Sequence, residues 1–267
     1  MRAGRSGAVK IVTWNVNSLR TRLARAQALL ERHQPDVLCL QETKVADDEF
    51  PTAEIEALGY SAAIYGQKTY NGVAILSRKP ATAVRRGFPG DPVPEEARVI
   101  AGEIDGLTVL NLYVVNGQSL GSPKYETKLA WLDALTAWLA AERAAERPLI
   151  VVGDFNIAPD DRDVHDPEQW RGEVLCSEPE RARLRALLDL GLVDLLRLRT
   201  AEGGLFTWWD YRSGAFHRGW GLRIDLALGT AGVAGRCRDV AIERNERKIS
   251  TGEGKPSDHA PVVVSLD

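Results

Sequence analysis

The stretch Leu-Ile-Val-Val-Gly-Asp-Phe-Asn-Ile-Ala-Pro, at residues 149–159, carries the pattern on which the fold depends. Its apolar residues do not alternate with polar ones, which predicts a strand that is buried on both faces. The strand is followed at once by Gly153, which allows a close backbone approach, and by Asp154 and Asn156. The spacing of two places both polar side chains on one side of the strand exit.

The same pattern, an apolar run that ends in a polar residue, recurs along the chain. The other runs and their polar ends are Val9–Trp14 before Asn15, Asp36–Gln41 before Glu42, and Leu107–Leu112 before Tyr113. Further strands are predicted at Leu205–Trp209, Arg223–Leu228 and Val262–Leu266. The pair Asn71-Gly72, ahead of the apolar run 73–76, indicates a hairpin turn.

Helical periodicity lies between several of these runs. The predicted helices are Ser18 or Thr21 to Arg32, Pro51 to Gly59, Pro123 to about Ala145, and Glu178 to Leu190. Many buried strands with helices outside them predict a layered α/β sandwich in one domain.

The composition excludes several classes of protein. The chain has 267 residues with 44% hydrophobic and 27% charged residues, which is ordinary for one large globular unit. Apolar runs are too short for a membrane span, and residues 1–10 lack the apolar core of a secretory signal. The three cysteines form no paired motif. We therefore expect a reduced, cytoplasmic protein.

The charge is unevenly spread. The chain carries a net charge of −3, yet residues 197–255 hold eleven Lys or Arg against seven Asp or Glu, a local balance of +4. Such a segment can form a basic face for phosphate on an acidic protein, or it can be ordinary solvated surface.

The polar residues at strand ends suit a hard metal ion and a phosphate. The chain lacks a paired Cys/His set, a G-x-S-x-G sequence, a P-loop and a G-x-G-x-x-G sequence, which leaves zinc, serine-esterase and dinucleotide chemistry without support. Carboxylate and amide oxygens favour Mg²⁺. The candidates are Asn15, Asn17, Glu42, Tyr113, Asn116, Asp154, Asn156, Asp225, Asp258 and His259.

Seven segments, taken in order, resemble the exonuclease III family of apurinic/apyrimidinic (AP) endonucleases, within the endonuclease/exonuclease/phosphatase superfamily. They are Thr-Trp-Asn-Val-Asn-Ser-Leu-Arg (13–20), Leu-Gln-Glu-Thr-Lys (40–44), Tyr-Asn-Gly-Val-Ala-Ile-Leu-Ser-Arg (70–78), Gly-Asp-Phe-Asn-Ile-Ala-Pro (153–159), Trp-Trp-Asp-Tyr-Arg (208–212), Gly-Leu-Arg-Ile-Asp (221–225) and Ser-Asp-His-Ala-Pro-Val (257–262). The resemblance runs from about Lys10 to the C-terminus. One departure is Val115, which stands where the family usually has Pro.

The resemblance implies a four-layer α/β sandwich, with two β-sheets packed face to face and flanked by helices. Residues 9–267 would form one catalytic domain, and residues 1–8 a disordered extension. The implied activity is Mg²⁺-dependent cleavage of DNA 5′ to abasic sites, with 3′–5′ exonuclease and 3′-phosphatase activity, and Mn²⁺ as a substitute metal. The expected partner is double-stranded DNA with abasic sites or blocked 3′ ends, bound by a monomer.

The resemblance also assigns roles. The implied catalytic residues are Tyr113, Asp154, Asn156, Asp225 and His259, and the implied metal ligands are Asn15, Glu42, Asp154, Asn156, Asp258 and His259. An Asp inside the apolar run 224–228 is costly to bury alone, so Asp225 is the natural partner of His259. Tyr113 would donate its hydroxyl to the phosphate.

A further set is expected to contact DNA through backbone phosphates or as an aromatic wedge: Asn17, Lys68, Tyr70, Asn116, Trp208, Trp209, Arg212, Trp220 and Arg223. For Trp208, and less so for Trp209, packing in the core is the rival interpretation.

Two other functions fit parts of the sequence. A phosphoinositide phosphatase or sphingomyelinase would share the metal core, but segments 208–212 and 221–225 resemble the DNA-cutting branch. A non-catalytic DNA-binding module is disfavoured because every expected catalytic position is filled.

Overall fold

The computed structural model describes residues 8–143 and 147–267, and within these ranges it has twelve strands and eight α-helices. The strands are β1 (Val9–Asn15), β2 (Val37–Gln41), β3 (Ser61–Tyr65), β4 (Val73–Ser77), β5 (Thr82–Arg86), β6 (Val99–Ile104), β7 (Leu107–Tyr113), β8 (Leu149–Asp154), β9 (Val193–Asp194), β10 (Asp225–Gly229), β11 (Cys237–Ile242) and β12 (Val262–Leu266). The helices are α1 (Leu19–His33), α2 (Thr52–Glu56), α3 (Pro123–Arg143), α4 (Pro167–Trp170), α5 (Glu178–Asp189), α6 (Leu195–Arg199), α7 (Ala215–Arg218) and α8 (Ala231–Arg236).

Residues 1–7, which hold nearly all of the expected extension 1–8, lie outside the described residues, and so does the predicted end of α3 near residue 145. No helix among the described residues is both long and apolar enough to cross a bilayer.

The strands form two six-stranded sheets with the same plan. Sheet A has the order β11-β12-β1-β2-β4-β3, and sheet B has the order β5-β6-β7-β8-β10-β9. Each sheet contains one parallel pair, β1–β2 in sheet A and β7–β8 in sheet B, and antiparallel neighbours on both sides. The two parallel pairs therefore occupy equivalent positions in the two halves of the molecule.

Both faces of the inner strands are buried, as the runs without alternation predict. Ile11 and Val152 belong to the apolar core between the sheets. Their neighbours Val12 and Val151 point outward, since successive side chains of a strand face opposite ways. Val12 packs with residues of α1 and α2, and Val151 with residues of α3 and α5. The predicted four-layer sandwich is confirmed.

One local prediction is wrong and another is confirmed. Leu205–Trp209 is not a strand, because Trp208 makes only isolated bridges, to Leu222 and His259. The hairpin that Asn71-Gly72 indicates is present, because β3 and β4 pair antiparallel and residues 66–72 connect them. Both residues have the positive φ that the pair favours, 53° and 88°.

Candidate active site

The ends of four central strands meet at one edge of the sandwich. Parallel strands bring their carboxyl ends to the same edge, so Asn15 of β1 lies beside Gln41 of β2, and Tyr113 of β7 beside Asp154 of β8. The antiparallel neighbours β10 and β12 contribute their starting ends instead. Asp225 therefore pairs in register with Asp154.

Three side chains at this edge converge closely. One ligand atom each of Glu42, Asp154 and His259 lies within 4.8 Å of the other two. The Glu42 side chain is 16% exposed, and its Oε2 lies 2.9 Å from Lys44 Nζ. Asp154 and His259 are buried. The cluster thus opens to solvent on the Glu42 side.

Asn15 bridges the two sheets. Its Nδ2 donates to Glu42 Oε1 at 2.8 Å and to Asp154 Oδ2 at 2.9 Å, while its Oδ1 accepts from the backbone of Asn17 at 2.9 Å. The amide oxygen predicted as a metal ligand therefore faces the chain's own backbone. In this arrangement Asn15 holds the two carboxylates in place, and its role as a metal ligand stays a prediction.

His259 is paired as the sequence predicts. Its Nδ1 lies 2.8 Å from Asp225 Oδ2, and its Nε2 lies 3.8 Å from Asp154 Oδ2. Burial lowers the pKa of His259, but the carboxylates of Asp225 and Asp154 more than offset this and raise it to about 10. The imidazole is therefore a cation at neutral pH.

Asp154 is the other strongly perturbed group. Burial raises the pKa of its carboxyl to about 7, and the charges of Asp225 and Glu42 act in the same direction against the opposing charge of His259. A carboxyl with a pKa near neutrality can both take and give a proton in a reaction. Gly153 is required beside it, because a Cβ there would lie 1.9 Å from Leu112 O at a φ of +142°.

Asn156 and Asn116 form the wall next to Asp154. Asn116 Nδ2 donates to Asn156 Oδ1 at 3.0 Å, and Asn156 N donates to Asp154 Oδ1 at 2.9 Å. The amide Nδ2 of Asn156 also binds Val114 O at 3.0 Å. Asn156 is thus fully held by its neighbours, with a φ of 51°.

Tyr113 is half-buried at the same edge, and the guanidinium of Arg98 lies 4.8 Å from its ring centroid. Burial and the nearby carboxylates of Glu42 and Asp154 raise the pKa of Tyr113 well above its usual value. The hydroxyl therefore remains protonated and available as a donor.

Asp258 lies beside the cluster and not within the closest group. Its Oδ1 accepts from Asn17 Nδ2 at 2.9 Å and its Oδ2 from Trp208 Nε1 at 3.1 Å. Burial raises the pKa of Asp258, but the charge of His259 and these donors lower it overall. Asp258 therefore fixes Asn17 and Trp208 at the rim.

Most of the predicted DNA contacts lie at the surface. Asn116, Lys68 and Tyr70 are exposed, Tyr70 by 68%. Trp220 is 41% exposed and stacks on His165 with 6.1 Å between ring centroids. Arg212 is exposed but is bound by Asp210, with 2.7 Å from Nη2 to Oδ2.

Two predicted DNA contacts are wrong. Arg223 is 1% exposed, and it binds Asp163 (Nε to Oδ1, 2.6 Å) and Asp194 (Nη2 to Oδ2, 2.8 Å). A guanidinium held by two carboxylates in the interior cannot reach a DNA backbone. Trp209 is also 1% exposed and packs with Ala215 and Ala260, so the rival core-packing interpretation holds.

The structure adds groups that the sequence interpretation missed. Lys44 donates to Asn17 Oδ1 at 2.7 Å, in addition to its contact with Glu42. Lys128 donates to the backbone carbonyls of Asn116 at 3.1 Å and Asn156 at 2.6 Å and pairs with Glu180. Lys44 lies within the segment 40–44 and could have been found there. Lys128 carries no signal, because a helical lysine gives no hint of complete burial.

Fold and site together define a class: a phosphoester hydrolase whose carboxylates suit a divalent metal. A family model described as "Endonuclease/Exonuclease/phosphatase family" matches residues 12–259. The chain therefore belongs to the endonuclease/exonuclease/phosphatase family, and within it to the exonuclease III type.

Named relatives agree with this assignment. The chain is 38% identical to exodeoxyribonuclease III of Haemophilus influenzae over 95% of this chain and 98% of that protein. A solved structure of the 3′ phosphatase NExo from Neisseria, bound to product DNA hairpin, is 45% identical with a TM-score of 0.93, covering 97% of this chain and 100% of that one. An AP endonuclease from Archaeoglobus fulgidus is 38% identical with a TM-score of 0.91, covering 97% and 99%.

Proposed function

We propose that this protein is a Mg²⁺-dependent DNA-repair hydrolase that cleaves the phosphodiester 5′ to an abasic site and removes blocking groups from 3′ ends. The observation that carries the proposal is the convergence of Glu42, Asp154 and His259 within 4.8 Å. The full-length likeness to an exodeoxyribonuclease III, a 3′ phosphatase and an AP endonuclease supports DNA as the substrate.

The residues fit a hard divalent cation. The carboxylates of Glu42, Asp154 and Asp225 repel one another, and this repulsion contributes to the raised pKa of Asp154. A cation at the Glu42 side would relieve it. We assign Glu42 and Asp154 to the metal, because carboxylate oxygens are the ligands that a hard divalent cation prefers. When bound, the metal would polarise a nonbridging phosphoryl oxygen and neutralise charge there.

The protein's own groups supply the rest of the chemistry. His259, cationic and oriented by Asp225, would donate Nε2–H to a phosphoryl oxygen as negative charge develops. The hydroxyl of Tyr113 would donate a hydrogen bond to a second phosphoryl oxygen. Asp154 would hold the attacking water or pass a proton to the leaving oxygen, since its pKa of about 7 permits either. Asn116 and Asn156 would keep Asp154 and the phosphate in register.

The exposed side chains around the edge would hold the duplex. Tyr70 and Lys68 lie in the loop between β3 and β4, and Trp220 lies in the loop before β10. We propose that these exposed side chains contact the DNA backbone on either side of the cleaved bond. We further propose a monomer that works in the cytoplasm; the three cysteines are free and buried, as suits a reducing compartment.

The test is a timed digest of two duplexes of one sequence. One carries a single internal abasic analogue, and the other a recessed 3′ end with a 3′-phosphate. We expect both to be processed with Mg²⁺, neither with EDTA, and neither by the matched variant Asp154→Asn. Full activity in EDTA, or hydrolysis of inositol phosphates or sphingomyelin in place of DNA, would overturn the proposal.

A further inference from the structure

A large cavity lies to one side of the catalytic edge, between residues 210–217 and residues 244–256. Its volume is about 670 Å³. Two aromatic rings, Tyr211 and Phe216, form part of its wall, and Ile249 at its rim is 79% exposed. The catalytic residues do not line it. We call it the basic cavity, because of the cations described next.

Four cations line the basic cavity: Arg244, Arg247, Lys248 and Lys255. Among the described residues, no carboxylate lies within salt-bridge distance of any of them. The one acidic side chain in the lining, Asp210, is already bound by Arg212. The cavity is therefore strongly positive.

Aromatic rings and carbonyls hold the cations in place. Arg244 lies 4.4 Å from the Phe216 ring centroid, and Lys255 Nζ lies 4.1 Å from that of Tyr211. Arg247 Nη2 donates to Trp209 O at 3.1 Å. A ring orients a cation without carrying an opposite net charge. Arg247 is itself buried, so the positive charge available to an external anion is that of the exposed Arg244, Lys248 and Lys255.

The loop that carries the lysines is fixed from beneath. Arg25 of α1 is 1% exposed, and it donates to the carbonyls of Lys248 at 3.3 Å, Ile249 at 3.1 Å, Gly252 at 2.9 Å and Gly254 at 2.9 Å. One buried guanidinium therefore shapes the whole turn. A ligand would find the cations already positioned and would pay little to order them.

The basic cavity is linked to the catalytic edge by direct hydrogen bonds. Arg22 Nη2 donates to Tyr211 OH at 2.8 Å, and Arg22 also binds the carbonyl of Asn17. Asn17 in turn donates to Asp258 at 2.9 Å. The basic cavity therefore adjoins the rim of the catalytic edge through Arg22 and Asn17.

We propose that the basic cavity binds an unpaired segment of the DNA strand, with phosphates against the lysines and arginines and bases against Tyr211 and Ile249. This inference rests on the proposed function. A volume of about 670 Å³ lies in the range that encloses a small organic ligand, which a nucleotide matches. A duplex keeps its bases inside and presents only its backbone to a protein. A single strand also exposes its bases, so it binds sites that combine cations with apolar groups.

The test is binding of a labelled oligothymidylate of about twelve nucleotides, followed by fluorescence anisotropy in EDTA so that no hydrolysis occurs. A blunt hairpin duplex serves as comparator. The variant Lys248→Ala/Lys255→Ala is set against Lys79→Ala/Arg147→Ala, which removes the same charge. Lys79 and Arg147 pair with Asp105 and Glu103, at the other end of β6 and β7 from the catalytic edge.

We expect the lysine pair variant to lose roughly tenfold in affinity for the single strand relative to the duplex, and the control none. The slope of log affinity against log salt should fall by about 1.4, or about 0.7 for each lost phosphate contact. Ile249→Ala should weaken single-strand binding several-fold at an unchanged slope, because it removes no charge.

Equal losses in the two double variants would overturn the inference, as would an unchanged salt slope after loss of both lysines. Failure of the proposed function gives a different result. In that case the wild-type protein would cut neither the abasic nor the 3′-phosphate duplex with Mg²⁺, whatever the single-strand affinity. Melting temperatures of all variants check that each remains folded.

Discussion

Arg223 and Asp225 are two residues apart, both are nearly fully buried, and they serve opposite purposes. Arg223 closes a saturated cluster, in which Asp163 and Asp194 satisfy its guanidinium and Asp194 also caps α6. Asp225 belongs to the catalytic cluster, where its Oδ1 has no partner among the described residues. The catalytic cluster also holds an excess of carboxylates over cations in its interior.

The difference distinguishes a structural from a catalytic charge cluster. In the first, each charge meets its partners and nothing is left for a ligand. In the second, like charges are held together and a pKa is displaced, which costs stability but leaves groups ready for reaction. Substitutions in the two clusters should therefore affect different properties.

The largest effect should come from breaking the saturated cluster. Arg223→Ala removes the cation that pairs with Asp194 and one of the two that pair with Asp163, the other being Arg197, so the free energy of unfolding should fall by about 3–5 kcal/mol in urea titration. Arg212→Ala removes an exposed pair with Asp210 and should leave stability almost unchanged. A loss for Arg223→Ala as small as that of the control would mean that the cluster contributes no stability.

Asp154→Asn should lower catalytic activity without lowering stability. Turnover on the abasic duplex should fall by roughly 10²–10³, the usual scale for a lost proton-transfer group. The free energy of unfolding in metal-free buffer should not fall, because the charge removed is one that its surroundings disfavour. Turnover comes from a quenched time course and stability from urea titration. A strongly destabilised Asp154→Asn would place Asp154 with the structural group.

The His259–Asp225 pair should behave as one unit. Asp225→Ala and His259→Ala should each lower turnover. The loss in the double variant should be smaller than the sum of the two single losses, with a coupling free energy of about 1–3 kcal/mol. The four proteins are compared at one saturating Mg²⁺ concentration. Fully additive losses would contradict the pairing that the 2.8 Å contact indicates.

Glu42→Gln should raise the Mg²⁺ concentration needed for half-maximal turnover by roughly ten- to a hundredfold, because a neutral amide binds a hard cation less well. The measurement is a Mg²⁺ titration of initial rates. Glu54→Gln, on the exposed face of α2, serves as the matched control. An unchanged titration curve would remove Glu42 from the metal site.

The smallest effect should come from comparing Trp209 and Trp220, two tryptophans on either side of α7. Trp220→Ala should weaken DNA binding by about 1 kcal/mol with little change in stability, since its ring is exposed. Trp209→Ala should instead lower stability, since its ring is buried. Anisotropy binding curves and urea titrations separate the two. Equal DNA affinities of Trp220→Ala and wild type would remove Trp220 from the interface.

Much of the fold could be predicted because its inner strands have strong local signals. The runs that became β1, β2, β7 and β8 are buried on both faces and end in polar residues. Strands at the sheet edges, such as the solvent-exposed β5 and the two-residue β9, were not predicted. An edge strand buries little, so selection leaves little apolar pattern in it.

Sequence alone determined which residue types stand at the strand ends. These are carboxylates, amides and a histidine, and they define the class of chemistry, in which a phosphate and a hard metal are bound. It did so because strand direction and side-chain alternation are local properties. Only the tertiary structure decided which charged side chains are fully paired within the protein and which can still bind a ligand. Arg223 and Asp225 look alike in the sequence as charges next to apolar residues. Distant residues, Asp163 and Asp194 for one and His259 for the other, set their roles. Burial and partner geometry are sums over the whole fold, and no segment of the chain carries them by itself.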